Sequence, residues 1–176
     1  LYLKTLFYQA SLIDLKMIVL PLLEKTALYE KNINTFVYFF KDLLKEIEIY
    51  NIKISFEIVT NFDLLIYFFQ LLDHPLCKFT YDTGNFHNKN LFSLNEFMIL
   101  SEYLNHVHIK DKNLQQSNVP LGNGTINFEN YLSILKKINY QGNFTLETPR
   151  KDSPLNSAKN NLNFLKERMR FINFEF

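Results

Sequence analysis

At 176 residues, 47% hydrophobic and 21% charged, the chain has the make-up of one globular unit and not of a disordered tail. Its 19 Lys and Arg against 18 Asp and Glu leave a formal net charge of +1, which disfavours nucleic acid and anionic membranes as partners. Cys77 is the one cysteine, which excludes an internal disulfide framework and a thiolate zinc cage and fits a reducing compartment, the cytoplasm by default.

Leu1 is not a methionine, and the sequence enters at once a helical pattern with Leu3, Leu6, Phe7 and Ala10 on one face, so further sequence is expected ahead of it. Apolar stretches such as Met17 to Leu23 are too short to cross a bilayer, and no charged-then-apolar signal segment opens the chain. Met17 to Leu20 reads as a first strand. Asn34 to Ile47 reads as a helix with Phe36, Phe39, Phe40, Leu43, Leu44 and Ile47 on its apolar stripe. A second strand, Lys53 to Val59, precedes a helix carrying Leu64, Leu65, Phe68, Leu71 and Leu72. Phe79 to Asp82 is the third strand. Ser93 with Glu96 then forms a capping box that opens a helix expected to run through Leu104. Val107 to Lys110 is the fourth strand. A turn-rich loop, Pro120 to Gly124, leads to a helix capped by Asn127 with Phe128, Tyr131, Leu132, Leu135 and Ile138 on one side. Phe144 to Glu147 is the fifth strand, and a polar helix around Leu162, Leu165 and Met169 follows.

Alternation of strand and helix implies α/β architecture with parallel strands, because a parallel pair cannot be joined by a tight turn. No glycine-rich phosphate loop follows an early strand, so a nucleotide-binding doubly wound sheet lacks its signature. The remaining expectation is a single domain over 1–176 that is an incomplete (β/α)8 TIM barrel. Such a barrel needs about 250 residues, so the chain would cover about strands four to eight, with the front βα units missing.

The strands carry an unusual parity. Strands buried on both faces normally read as unbroken apolar runs. Here Ser55 and Glu57 share one face against Phe56 and Ile58, and Thr80 and Asp82 oppose Phe79 and Tyr81. His106, His108 and Lys110 alternate with Val107 and Ile109, as Thr145 and Glu147 do with Phe144 and Leu146. Taking ions out of water costs several kcal/mol each, so two glutamates, an aspartate and a histidine converging on an interior need a partner. A divalent cation suits them: mostly oxygen donors favour Mn2+, Mg2+ or Co2+, with Zn2+ also compatible. Any one strand glutamate is more often satisfied or solvent-facing; the agreement of four strands is what points to a site. His106 reads as a core or supporting residue, and His108, nearer the carboxyl end of its strand, as the ligand.

Five segments carry a resemblance. They are Phe56-Glu57-Ile58-Val59 with Asn61-Phe62-Asp63, Tyr81-Asp82-Thr83-Gly84-Asn85, His106-Val107-His108-Ile109-Lys110-Asp111, Leu121-Gly122-Asn123-Gly124, and Gly142-Asn143-Phe144-Thr145-Leu146-Glu147. In this order the chain resembles the xylose isomerase-like barrel superfamily, and within it the sugar and sugar-phosphate isomerases and ketose 3-epimerases. The resemblance implies metal ligands at Glu57, Asp82, His108 and Glu147, and catalytic proton transfer by Glu57 and Glu147 at the carbon beside the carbonyl, through an enediolate stabilised by the ion. It implies substrate contacts at Asp63, where the family often has glutamate, and at Asn85, where the epimerases commonly have histidine. Lys110 extends the polar face and reads either as a contact to a substrate hydroxyl or phosphate or as a rim lysine paired with an acid. The loop 120–124 reads first as a turn, with phosphate binding as a second reading, and anion contact is likewise the second reading for Arg150 and Lys151 just past Glu147.

The expected partner is a small sugar or sugar phosphate, with neither nucleic acid nor membrane, and a homo-oligomer is compatible. An inosose-type dehydratase would use the same metal site. A non-catalytic truncated or split-barrel chain is a third reading: its open edges would leave it poorly stable and inactive alone. The apurinic endonucleases of the superfamily rank last, because Asn85 stands where they need a ligand histidine and no aspartate–histidine pair follows Asp111.

Overall fold

A computed structural model describes residues 2–86, 92–150 and 153–174. The elements in order are α1 (Tyr2–Leu12), β1 (Met17–Leu22), α2 (Ile33–Ile47), β2 (Lys53–Ile58), α3 (Phe62–Leu72), β3 (Cys77–Asp82), α4 (Leu94–Leu100), β4 (Leu104–Ile109), β5 (Asp111–Lys112), β6 (Asn118–Val119), α5 (Phe128–Lys137), β7 (Asn143–Leu146) and α6 (Pro154–Phe171). The main sheet has the order β1-β2-β3-β4-β7, and its neighbours run parallel wherever their register is defined. This is the α/β architecture of part of a TIM barrel, as the alternation of strand and helix requires. No helix among the described residues is long and apolar enough to cross a membrane.

The chain divides into two compact units, Leu1–Thr80 and Tyr81–Phe176. In the first, β1 and β2 pair in register from Met17↔Lys53 to Leu22↔Ile58, and β2 sets Glu57 against Thr80 of β3. The apolar parity of β2 turns Phe56 into an aromatic cluster, 4.7 Å from the ring of Phe40 on α2 and 5.3 Å from that of Phe68 on α3. Phe69 and Phe79 extend that cluster. The opposite parity is polar and equally buried: Ser55 Oγ lies 2.6 Å from Thr80 Oγ1, so one hydroxyl donates to the other. Asn61 starts α3 by accepting from the Leu64 amide, and Asp73 ends it in a left-handed conformation.

In the second unit, Tyr81 stacks on Phe86 and packs edge-on against Phe97 of α4. The expected capping box is present, with Ser93 accepting from the Glu96 amide and Glu96 from the Ser93 amide. Helix α4 stops at Leu100, however, and Leu104 opens β4 instead of closing the helix. Ser101 Oγ donates to the Met98 carbonyl, competing with the helical ladder where the polar alternation of β4 begins. The hairpin of β5 and β6 carried no strand signal because it is two residues a side. Asn127 caps α5 as read, and Pro154 occupies the first turn of α6. On α2 the buried stripe is Ile33, Val37, Phe40, Leu43, Leu44 and Ile47, leaving Phe39 exposed.

Phe56 is fully buried against Phe40, Phe68 and Phe69 of its unit. Phe56→Ala is expected to cost about 3–5 kcal/mol by urea denaturation; a loss below about 1 kcal/mol would mean the ring is not a core element.

Candidate metal centre

Parallel strands deliver their side chains to one end, and alternation decides which ones share a face. In the second unit, Asp82 is the last residue of β3, His108 the penultimate residue of β4, Lys110 the first beyond it, and Glu147 the first beyond β7. The β4–β7 ladder pairs His106 with Asn143 and His108 with Thr145, so Glu147 lies one step past the paired ends. Its amide donates to the Ile109 carbonyl, which keeps that last residue in line with the sheet.

These four side chains meet. His108 Nδ1 is 3.1 Å from Glu147 Oε1 and 3.6 Å from Asp82 Oδ2. Lys110 Nζ lies 2.8 Å from Asp82 Oδ2 and 2.7 Å from Glu147 Oε2. Asp82 has no exposed surface, whereas the Glu147 side chain is 38% exposed. Burial opposes ionisation of Asp82, but His108, Lys110 and the Asn85 amide outweigh it and hold the carboxyl below its usual range. Burial likewise opposes the charge on Lys110, and Asp82 and Glu147 together hold its ammonium above the ordinary lysine value. The carboxylate and ammonium forms therefore support one another.

The donor atoms suit a divalent ion. Bonds of about 2.0–2.2 Å put neighbouring ligand atoms about 3.0–3.6 Å apart, the range of the separations from His108 Nδ1 to Asp82 Oδ2 and to Glu147 Oε1. In the first unit, Glu57 is 7% exposed on the polar parity of β2. Glu57, Asp82 and His108 are thus three buried residues of ligating type, each offering one carboxylate oxygen or ring nitrogen. Cys77 opens β3 at the end opposite Asp82, away from the cluster, and burial pushes its thiol up to about 12.

The remaining candidates fall differently. His106 supports the site: its Nε2 is 2.8 Å from Thr145 Oγ1, and burial followed by the neighbouring His108 lowers its ring to about 4, so it stays neutral. The Asn85 amide donates to Asp82 Oδ1 at 2.8 Å, which orients that carboxylate. Asp63 is exposed in the first turn of α3, and Arg150 is exposed beyond β7. Lys151 lies outside the described residues.

The sequence reading passed over Thr83 and Asp111. Thr83 Oγ1 donates to the Lys110 carbonyl and accepts from the Lys110 amide, fixing the backbone that carries the lysine. Buried Asp111 accepts from the amides of Gly122 and Gly124 through Oδ2 and from Lys112 and Ile126 through Oδ1. Those glycine amides are the ones a phosphate would need, so the loop 120–124 is tied to the protein's own carboxylate. Gly122 adopts φ +83 with Phe164 beside it, which fixes glycine there. An acid directly after a strand and ahead of a glycine turn was the available signal for Asp111.

Comparison with known proteins agrees with the barrel fold. A profile of the family described as xylose isomerase-like TIM barrel matches residues 3–168. The uncharacterized protein MJ1614 of Methanocaldococcus jannaschii is 32% identical over 119 residues, 63% of this chain and 45% of that protein. The chain thus spans less than half the length of that relative. Among solved structures, a xylose isomerase domain protein from Planctomyces limnophilus superposes with a TM-score of 0.79 at 19% identity, over 98% of this chain and 64% of that one. The IolI protein, solved with a bound zinc atom, gives 0.77 at 17% identity over 99% and 69%. A D-allulose 3-epimerase from Methylomonas sp. gives 0.73 at 16% identity over 94% and 68%. Identities this low establish the fold.

Asp111→Ala would strand four backbone amides. It is expected to cost about 2–4 kcal/mol and to speed hydrogen exchange at Gly122, Gly124 and Ile126. Unchanged exchange at those amides would show that the carboxylate does not hold the loop.

Proposed function

The chain belongs to the xylose isomerase-like TIM barrel family, and from that premise we propose that it is the metal-binding part of a divalent-metal-dependent isomerase or epimerase of sugars or sugar phosphates. The observation that carries the reading is the placement of His108 Nδ1 3.6 Å from Asp82 Oδ2 and 3.1 Å from Glu147 Oε1, on the carboxyl ends of parallel strands, where barrel enzymes keep their chemistry. Glu57 enters as the fourth ligand: it shares the polar parity, and β2 sets it against Thr80, two residues before Asp82 along β3. An ion of the Mn2+, Mg2+, Co2+ or Zn2+ type, held by these four, would polarise a bound keto sugar and acidify the carbon beside its carbonyl.

The protein's own groups would then move the proton. Asp82 is fully buried and committed to Asn85 and Lys110, so it serves to hold charge in place. Glu147, partly exposed, can reach a substrate while remaining beside His108. Glu57 and Glu147, on different strands, would serve as base and acid on opposite faces of the substrate. Neutral His106 keeps positive charge away from His108, and Asp63, Asn85 and Arg150 are the proposed substrate contacts. The D-allulose 3-epimerase neighbour supports a sugar-type substrate, and the IolI neighbour with its zinc atom supports a divalent ion.

The test is metal analysis of the purified protein with a screen of ketoses and ketose phosphates in deuterated water, alongside Glu147→Gln. The reading predicts about one bound divalent ion, deuterium at the carbon beside the carbonyl, and a loss of at least about 100-fold in rate for the variant. Absence of bound metal, or an unchanged rate in the variant, would contradict it. Loss of water from the substrate would assign the dehydratase reaction to the same residues.

A further inference from the structure

We propose that Lys110 is a resident counter-ion of this centre, bridging Asp82 and Glu147 and offsetting part of their charge in the metal-free protein, and leaving Asp82 Oδ2 when a divalent cation binds. The inference rests on the metal reading above and deepens it by assigning the control of that site. It begins with the two oxygens of Asp82. Oδ1 accepts from the Asn85 amide, and Oδ2 lies 2.8 Å from Lys110 Nζ as well as 3.6 Å from His108 Nδ1. Oδ2 is therefore the oxygen that both the ammonium and a metal shared with His108 would claim. Two cations on one oxygen would sit within about 4 Å of each other, where their repulsion in a low-dielectric pocket is large.

Lys110 is delivered to that place and is no wandering surface side chain. Its backbone is clamped on both sides by Thr83 Oγ1. Its stem lies in the space left by Gly84, where a Cβ would stand 2.8 Å from Lys110 Cδ and 2.9 Å from Cγ. The residue is 9% exposed, and the second acid, Glu147, binds it through Oε2 while Oε1 faces His108. Glu147 can thus keep its hold on the ammonium with one oxygen and offer the other to a metal; Asp82 cannot. The lysine would pivot about Glu147 toward the exposed side of the cluster and leave Asp82 and His108 to the ion. An ammonium that must first release Asp82 lowers the apparent metal affinity by the fraction of time it spends there.

The experiment titrates Mn2+ calorimetrically into the wild type, Lys110→Met and Lys110→Gln, and maps acylation of Lys110 in the wild type by mass spectrometry with and without Mn2+. Competition predicts affinity about tenfold tighter in both variants, as for a lysine in place about 90% of the time, and faster acylation of Lys110 once Mn2+ saturates the wild type. If the variants do not fold, the wild-type acylation decides. Equal or weaker Mn2+ binding in the variants, or acylation unaffected by Mn2+, overturns the counter-ion role and leaves the metal reading standing. No Mn2+ binding by any of the three proteins removes both.

Discussion

A carboxylate with no access to solvent is the constraint from which the rest of the candidate site follows. Asp82 ends β3 inside the protein, and an ion there costs several kcal/mol unless fixed charges and donors replace the water it gave up. The structure supplies them from three directions: the Asn85 amide from the following turn, His108 from β4, and the Lys110 ammonium from just beyond it. Each donor needs support of its own. Thr83 braces the Lys110 backbone, Gly84 makes room for its stem, and Thr145 meets the ring of His106 next along the strand. One ammonium against two carboxylates still leaves the cluster short of positive charge, and that deficit is the electrostatic reason to expect a cation.

The scaffold makes such a cluster feasible by separating packing from chemistry on the two faces of each strand. Phe56, Phe79, Tyr81, Val107 and Ile109 are buried on the apolar parity. Ser55, Glu57, Thr80, Asp82, His106 and His108 are buried on the other. The hydroxyl pair of Ser55 and Thr80 shows how the polar parity is kept satisfied deeper in the sheet, where no ion is called for. Just past β4, Asp111 gathers the amides of the following loop, so the strand end that carries Lys110 is anchored from both directions.

The alternation of strands and the polar parity were legible because both are period-two patterns that local sequence carries directly. Glu57, Asp82, His108 and Glu147 stand out as ionisable groups at strand ends that ought to be apolar, and three of them meet within one unit. What local pattern could not carry is partnership. Lys110 read equally as a substrate contact or a rim ion pair, and only the fold reveals that it bridges two acids of distant strands. The loop 120–124 read as a turn with a phosphate option because its glycines are visible in sequence while the carboxylate that occupies their amides is not. Helix ends failed for a similar reason: an apolar Leu104 suits a helix and a strand alike, and the hydrogen bond of Ser101 settled it. Phe39 and Leu6 are exposed because a helical stripe of the right period can still face away from its neighbours.

The most direct test is anomalous diffraction at the manganese edge from crystals grown with Mn2+. The account predicts one strong peak about 2.0–2.3 Å from His108 Nδ1 and from a carboxylate oxygen of each of Glu57, Asp82 and Glu147. A map without a peak there, with Lys110 still seated between the two acids at saturating Mn2+, would contradict it.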